Sequence, residues 1–250
     1  MPTLRVNGAE LHYQGLGEGQ PIVMLHGLLL GNIATWYFGA AALLSKSHHV
    51  LLYDLRGHGL SGKTKDGYNL ETMVFDLKAL IDNQNLAQVS LIGHSYGALV
   101  ALHFAIRYPE RVKKLVLVEA PLPPARGMQM DEFLGMDQGM MVDALPQQLQ
   151  ELIGRDSRQS RKMLQHLQFL VGETDLLQQL KAEKDVDNQD LAALCMPIQL
   201  IYGKNSQLVD VGNRLQQMIP HAQLHWLPGG HYLPSEMPVE LGQTIGGFFA

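Results

Sequence analysis

Short apolar runs alternate with longer amphipathic segments along this 250-residue chain. Five of the runs are almost continuously apolar, as is typical of strands buried on both faces of a parallel sheet. Three further strands are predicted, an opening hairpin and a last strand. The eight predicted strands are Leu4–Val6, Glu10–Gln14, Pro21–His26, Val50–Tyr53, Val89–Ile92, Val112–Val118, Pro197–Tyr202 and Gln223–Trp226. Helical periodicity predicts helices at Ile33–Ser45, Leu70–Gln84, Tyr96–Arg107, Val209–Met218 and Pro238–Phe249.

The alternation of strands and helices predicts an α/β fold, with a mostly parallel sheet flanked by helices on both faces. A long interruption separates the sixth and seventh predicted strands. Residues 121–192 contain no strand pattern, and helical periodicity returns in pieces, at Leu145–Ile153, Arg158–Val171 and Thr174–Lys184. Such a length without strands is more typical of a subdomain than of a loop. We therefore expect a core formed by residues 1–120 and 193–250, and a helical insert formed by residues 121–192.

Composition and charge exclude several classes of protein. The chain has 19 Lys and Arg against 24 Asp and Glu, and a net charge of −5 disfavours nucleic acid as the main partner. No apolar stretch approaches the length of a membrane span, and the first residues lack the pattern of a signal peptide. The single cysteine, Cys195, forms no internal disulfide. These observations predict a cytoplasmic protein without membrane or nucleic-acid partners.

A candidate nucleophile lies between a predicted strand and a predicted helix. Gly93-His94-Ser95-Tyr96-Gly97 matches the pattern G-x-S-x-G. In a strand-turn-helix context this pattern is typical of a nucleophile held on a strained turn, where flanking side chains would collide. The bare pattern is weak, but its position after an apolar strand favours Ser95 as a nucleophile. A serine needs a base to activate it.

The candidate base is His231, in the segment Gly229-Gly230-His231-Tyr232 after the last predicted strand. In a parallel sheet this position lies at the same edge as Ser95, which distinguishes His231 from the other ten histidines. No pair of histidines shares a helix face at the spacing of metal ligands, so no metal site is predicted. A serine nucleophile with a histidine base requires no cofactor.

Attack by a serine on a carbonyl creates an oxyanion that backbone N–H groups can hold. The expected donors are the amides of Leu28, after the third strand, and Tyr96, after the nucleophile. We interpret His26 and His94 as residues that brace these loops. Asp54 and Arg56, in the segment Asp54-Leu-Arg-Gly-His-Gly-Leu-Ser61, are interpreted in the same way, as structural rather than catalytic residues.

These segments together resemble the α/β-hydrolase fold family. The resemblance covers the His26-Gly27 strand end, the D-x-R-G-H-G-x-S segment, the G-H-S-Y-G turn and the late G-G-H loop. It implies an eight-stranded sheet and identifies residues 121–192 as a cap over the active site. It does not specify the substrate, because esterases, thioesterases, lactonases, C–C hydrolases and cofactor-free perhydrolases share these motifs.

The sequence departs from the family pattern at the acid that should orient His231. Family members commonly carry an aspartate after the seventh strand, three residues past a glycine, and Ser206 occupies that position here. Two carboxylates remain as candidates. Glu119 ends the sixth strand, where related enzymes such as haloalkane dehalogenases can place their acid, and Asp210 lies four residues beyond the usual site. The favoured triad is Ser95-His231-Glu119, with Asp210 and the absence of a working acid as alternatives.

The sequence predicts a serine hydrolase that cleaves a carboxylic ester with an apolar acyl or alcohol group through an acyl-enzyme. Alternatives are an acyl thioesterase acting on CoA or a carrier protein, a cofactor-free perhydrolase, and a hydrolase-like ligand sensor with little turnover. Arg155, Arg158 and Arg161 can dock a carrier protein, although a solvated helix face explains them more simply. The sequence does not distinguish a monomer from a dimer. Methionines of the cap are candidates for an adaptable apolar pocket: Met128, Met136, Met140 and Met163.

Overall fold

Eight strands and ten α-helices are found in the part of the chain that the computed structural model describes, residues 2–122 and 158–250. The strands are β1 (Thr3–Val6), β2 (Ala9–Leu16), β3 (Gln20–Leu25), β4 (His48–Tyr53), β5 (Val89–His94), β6 (Val112–Val118), β7 (Ile198–Gly203) and β8 (Gln223–Leu227). The helices are α1 (Ala34–Tyr37), α2 (Ala40–Leu44), α3 (Leu70–Asn83), α4 (Tyr96–Arg107), α5 (Arg158–Gly172), α6 (Leu176–Ala182), α7 (Asn188–Ala192), α8 (Val209–Met218), α9 (Leu233–Glu236) and α10 (Pro238–Phe249).

The strands form one sheet in the order β1-β2-β4-β3-β5-β6-β7-β8. β2 pairs antiparallel with both β1 and β4, and every pair from β4 to β8 is parallel. The predicted α/β class, the opening hairpin and the mostly parallel eight-stranded sheet are therefore confirmed. The carboxyl ends of β3, β5, β6, β7 and β8 meet at one edge, so loops that follow these strands can build a common site.

Two apolar layers cover the sheet because successive side chains of a strand point to opposite faces. In β3, Val23 and Leu25 enter the layer beneath α3, α4 and α8, whereas Ile22 and Met24 enter the layer beneath α1, α2 and α10. All four side chains are essentially inaccessible to solvent. This burial on both faces explains why the core strands are apolar at almost every position.

The helices differ from the sequence prediction in three respects. The predicted helix Ile33–Ser45 is two short helices, because the chain bends at Gly39, whose φ of −113° and ψ of −111° are not helical. α7 and α9 were not predicted, since four- and five-residue helices are too short to show periodicity. The predicted helix Thr174–Lys184 is shorter, at Leu176–Ala182.

The helices α5, α6 and α7 lie between β6 and β7, within the second half of the segment predicted as a helical insert. Leu170 and Leu176 are fully buried in the same apolar layer as α3 and α4. Glu183 accepts a 2.8 Å hydrogen bond from the amide of Leu70, at the start of α3. The remaining predicted helix, Leu145–Ile153, lies outside the described residues, and the division into a core and a cap stays a prediction. No helix of the described residues is long and apolar enough to cross a membrane.

Candidate active site

Ser95 lies on a strained turn between β5 and α4. Its φ of 53° and ψ of −126° are rare for any residue other than glycine. The amide of Ser95 donates a 2.9 Å hydrogen bond to the carbonyl of Val118, so the strained residue is still attached to the neighbouring strand. The turn places Ser95 at the N-terminus of a twelve-residue helix.

The glycines on either side of Ser95 allow this turn to form. A Cβ atom at Gly93 would lie 2.4 Å from the Cα atom of Ala98, and one at Gly97 would lie 2.3 Å from the carbonyl oxygen of His26. Both distances are far inside van der Waals contact with backbone atoms, which cannot move aside. The pattern of small residues that suggested a nucleophile turn therefore has the expected steric reason.

His231 connects Ser95 to Glu119 through its two ring nitrogens. Nε2 lies 2.9 Å from the Ser95 Oγ atom, and Nδ1 lies 3.0 Å from the Glu119 Oε2 atom. An ionised carboxylate can only accept, so the proton of a neutral imidazole lies on Nδ1. Nε2 then accepts from the serine hydroxyl. The three side chains form a continuous hydrogen-bonded chain with the polarity that serine activation requires.

Glu119 follows β6 directly and is completely buried. The register pairs His94 with Val118, which makes Ser95 and Glu119 the next residues of adjacent strands. Glu119 also has a φ of 53°, and its amide donates to the carbonyl of Ile201 at 2.9 Å. The Ser95 hydroxyl and the Glu119 carboxylate are therefore positioned in the same way, each by a residue with a positive φ at the end of a strand.

The structure does not bring Asp210 to this site. Asp210 lies in the first turn of α8 and is exposed to solvent. Of the two candidate acids, Glu119 is the one that contacts His231. The loop after β7 nevertheless reaches the site through two hydrogen-bond donors. The Gly203 amide donates to Glu119 Oε1 at 2.6 Å, and the Ser206 hydroxyl donates to Glu119 Oε2 at 2.5 Å.

Leu28 and Tyr96, the expected oxyanion donors, lie in two chain segments that adjoin Ser95. A Cβ atom at Gly27 would lie 3.1 Å from the Ser95 Cβ atom, so the chain leading to Leu28 passes directly against the nucleophile turn. Tyr96 is the first residue of α4, and the first N–H groups of a helix have no acceptor within it. Both amides are thus placed beside Ser95, and their binding of an oxyanion stays a prediction.

Two neutral histidines brace the loop that carries Leu28. His26 donates from Nδ1 to the Gly27 carbonyl at 2.7 Å and accepts from the Leu55 amide at 3.0 Å. His58 accepts from the amide of Leu29, a residue with a φ of 68°, at 3.0 Å. Burial lowers the pKa of His26 and lowers that of His58 well below its ordinary value. Each ring therefore stays neutral and keeps the acceptor that its loop needs.

His94 ties the nucleophile turn to the loop of the base. Its Nε2 atom donates to the backbone carbonyl of His231 at 2.8 Å. Burial, followed by the proximity of His231, lowers the pKa of His94 to about 3, so this ring does not compete for protons with the base. On the other side of the loop, the carboxylate of Glu236 accepts from the Gly230 amide. The interpretation of His94 as a bracing residue agrees with these contacts.

Asp54 and Arg56 also have the bracing contacts that the sequence suggested. Asp54 is buried and accepts from the amide of Ile33 at 2.7 Å and from Nδ1 of His12 at 2.8 Å. Arg56 forms a two-pronged ion pair with Asp76, in which the nitrogen–oxygen distances are 2.8 and 2.9 Å. Neither residue contacts Ser95 or His231.

Few of the residues predicted for the substrate side can be placed. Met163 lies half-buried on α5, and Arg158 and Arg161 are exposed on the same helix. Met128, Met136, Met140 and Arg155 lie outside the described residues.

Sequence reasoning missed Ser206 and Gly203 as partners of Glu119. The available signal was that Ser206 stands where an acid was expected. Within the described parts of the chain, no group of three His, Cys, Asp or Glu residues is arranged to hold a metal ion.

The sheet, the strained serine turn and the Ser-His-Glu chain together define an α/β protein with the site of a hydrolase. A family model described as alpha/beta hydrolase fold matches residues 20–167. The chain belongs to the α/β hydrolase fold family, as the sequence motifs indicated.

Known proteins similar to this chain have names that denote different activities. A cis-3-alkyl-4-alkyloxetan-2-one decarboxylase of Shewanella oneidensis is 34% identical over 142 residues, and the match covers 52% of this chain and 44% of that protein. A putative carbamate hydrolase of Cronobacter turicensis is 30% identical over 231 residues, which are 85% of each chain. The crystal structure of the enol-lactonase from Burkholderia xenovorans LB400 superimposes with a TM-score of 0.79, at 23% identity and 99% coverage of both chains. That last likeness concerns the fold alone.

Proposed function

We propose that this protein is a serine hydrolase that cleaves carboxylic esters through an acyl-enzyme. The observation that carries the proposal is the unbroken chain from Ser95 Oγ through His231 to Glu119, with contacts of 2.9 and 3.0 Å. The putative carbamate hydrolase among the relatives supports a hydrolytic reaction.

In the first half of the reaction, Ser95 Oγ attacks the ester carbonyl while its proton passes to His231 Nε2. The electron pair of the carbonyl bond moves to oxygen, and the amides of Leu28 and Tyr96 hold the resulting oxyanion. Glu119 stabilises the imidazolium without taking its proton. When the tetrahedral intermediate collapses, the bond to the alcohol oxygen breaks, and His231 returns the proton to the departing alcohol.

In the second half, water replaces the alcohol. His231 Nε2 takes a proton from the water as its oxygen attacks the acyl carbon, and the proton later returns to Ser95 as the carboxylic acid leaves. The proposed steps use only groups of the chain together with the substrate and water. The helices between β6 and β7 act in this proposal as the cap that covers the acyl group. A thioester can react by the same steps, with a thiol as the leaving group.

A fluorophosphonate probe tests the proposal directly, because it reacts covalently with an activated serine. We expect rapid labelling of the wild-type protein and none of Ser95→Ala, with labelling unchanged in Ser47→Ala, which removes an exposed serine hydroxyl. The adduct is measured by intact mass. Absence of labelling in folded wild-type protein contradicts the proposal and favours a hydrolase-like ligand sensor.

The substrate class requires a second measurement. p-Nitrophenyl esters and acyl-CoA thioesters of matched chain length are compared by kcat/KM. We expect higher values for the esters and an increase with the length of the acyl chain. A preference for the thioesters by tenfold or more at every length would instead assign the protein as a thioesterase.

A further inference from the structure

Glu119 is a buried carboxylate with few charged neighbours. Its side chain has no exposure to solvent, and within the described residues His231 is the only group paired with it that can carry a positive charge. In the resting state of the proposed mechanism His231 is neutral. A buried charge without a charged partner is costly unless hydrogen bonds compensate it. Two neutral donors supply this compensation, the Gly203 amide and the Ser206 hydroxyl.

The Ser206 hydroxyl donates to the same oxygen that faces His231. Oε2 of Glu119 lies 2.5 Å from Ser206 Oγ and 3.0 Å from His231 Nδ1. Oε1 is held from the other side by the Gly203 amide at 2.6 Å. The two donors fix both carboxylate oxygens, so the carboxylate can neither rotate nor withdraw from the imidazole without breaking one of them.

The turn after β7 also fixes the direction of the Ser206 proton. Ser206 Oγ accepts a 3.0 Å hydrogen bond from the Leu208 amide, and the Ser206 amide donates to the Gly203 carbonyl at 3.1 Å. A hydroxyl has a single proton, and since a carboxylate oxygen can only accept and the Leu208 amide can only donate, that proton points to Glu119. The hydroxyl is thus oriented before any substrate binds.

We propose that Ser206 is a positioning residue that holds the Glu119 carboxylate aimed at His231 Nδ1. The inference rests on the proposed function, because it assigns Ser206 a role in the same Ser95-dependent reaction. Ser206 contacts neither the nucleophile nor the base, and it acts through the carboxylate alone.

The pH dependence of kcat/KM distinguishes this role from simple packing. Removing a donor makes the carboxylate more basic, and a more basic carboxylate raises the pKa of the imidazolium beside it. The acid limb of the profile reports that imidazolium. For Ser206→Ala we expect the acid limb to move to higher pH by about 0.5 to 1 unit. We also expect kcat to fall about threefold to tenfold because the carboxylate loses its fixed orientation, with KM within about twofold.

Two further substitutions at Ser206 and one control complete the experiment. Ser206→Thr keeps the hydroxyl and should restore the wild-type profile. Ser206→Cys keeps the size but donates weakly, and should show the shift even if Ser206→Ala folds poorly. Thr244→Ala is the control, because the Thr244 hydroxyl is also a hydrogen-bond donor, to the carbonyl of Glu240, but lies on α10, outside the candidate site. Its profile should match that of the wild type.

An acid limb that does not move in Ser206→Ala and Ser206→Cys overturns the inference, even if kcat falls, because a packing defect lowers kcat without changing the titration of the base. An equal shift in Thr244→Ala overturns it as well. The rate is measured with a p-nitrophenyl ester and corrected for the Ser95→Ala background. If Ser95→Ala keeps the activity, the proposed function fails together with the inference, whereas a Ser95-dependent rate with an unshifted limb removes only the inference.

Discussion

Glu119→Gln is expected to lower kcat for ester hydrolysis by about 10⁴-fold, because the amide fixes His231 in the wrong tautomer. The carboxylate receives three donors, from Gly203, Ser206 and His231, and accepts all of them. Glutamine has one acceptor oxygen and an NH₂ group that can only donate. With the oxygen facing the Gly203 amide, the NH₂ group faces His231 Nδ1. The imidazole must then carry its proton on Nε2, where it cannot accept from Ser95.

Asp210→Asn provides the matched control for this experiment. It makes the same change from carboxylate to amide at the other candidate acid, which is exposed on α8. Its kcat should stay within about twofold of wild type, as is usual for surface positions. Initial rates with a p-nitrophenyl ester, together with fluorophosphonate labelling rates, measure both effects. Full turnover in Glu119→Gln with a collapse in Asp210→Asn would refute the assignment of the acid.

The second large effect is expected on stability. Arg56→Met should lower the free energy of unfolding by about 3–5 kcal/mol, because it leaves the carboxylate of Asp76 buried without its partner. Arg56 and Asp76 are each 2% exposed, and the guanidinium contacts both carboxylate oxygens. Burial already raises the pKa of Asp76 although Arg56 and Asn7 bind it. Denaturation by urea, followed by circular dichroism, measures the loss.

The pH dependence of this loss has a definite sign. Without Arg56, the pKa of Asp76 in the folded protein lies further above its unfolded value, so the folded state binds the proton more tightly. The stability of the variant is then retained at low pH and lost as the pH rises through the folded pKa. The deficit relative to wild type should therefore be larger at pH 8 than at pH 5. An equal deficit at both values would show that packing alone is responsible.

Two variants control for the loss of a long side chain. Arg107→Met removes an exposed partner of Glu71, and should cost less than about 1 kcal/mol. The double variant Arg56→Met/Asp76→Leu replaces the buried pair by apolar groups and should recover most of the stability. A double variant as unstable as Arg56→Met would contradict the electrostatic explanation.

The parts of the fold that sequence predicts well are those in which local pattern and tertiary contact agree. The helices Tyr96–Arg107, Val209–Met218 and Pro238–Phe249 have the predicted bounds, because apolar periodicity coincides with the buried face. The helix predicted across Gly39 is broken, since its apolar residues pack on the sheet from two separate short helices. Apolar periodicity indicates which residues are buried, but it does not indicate a bend of the chain between them.

At the site, residues that follow strand ends were predictable, and the contacts among them were not. The motif context indicated Ser95 and His231, and strand adjacency favoured Glu119. The role of Ser206 depends on the path of a turn that contains no apolar pattern. Its hydroxyl and the Gly203 amide bind the carboxylate of a residue that lies 87 and 84 positions earlier in the chain, a separation that no local sequence pattern indicates.

Ser95 and Glu119 share a left-handed backbone at the ends of adjacent strands. Each such conformation costs of order 1–3 kcal/mol for a residue with a side chain, whereas glycine adopts it freely. Mutants selected only for resistance to heat should therefore accumulate glycine at position 95, where the side chain is small, and would become more stable and inactive at once. At these strand ends the backbone strain lowers the free energy of unfolding but positions the side chains of the proposed triad. A stabilised variant that keeps activity must therefore gain its stability elsewhere.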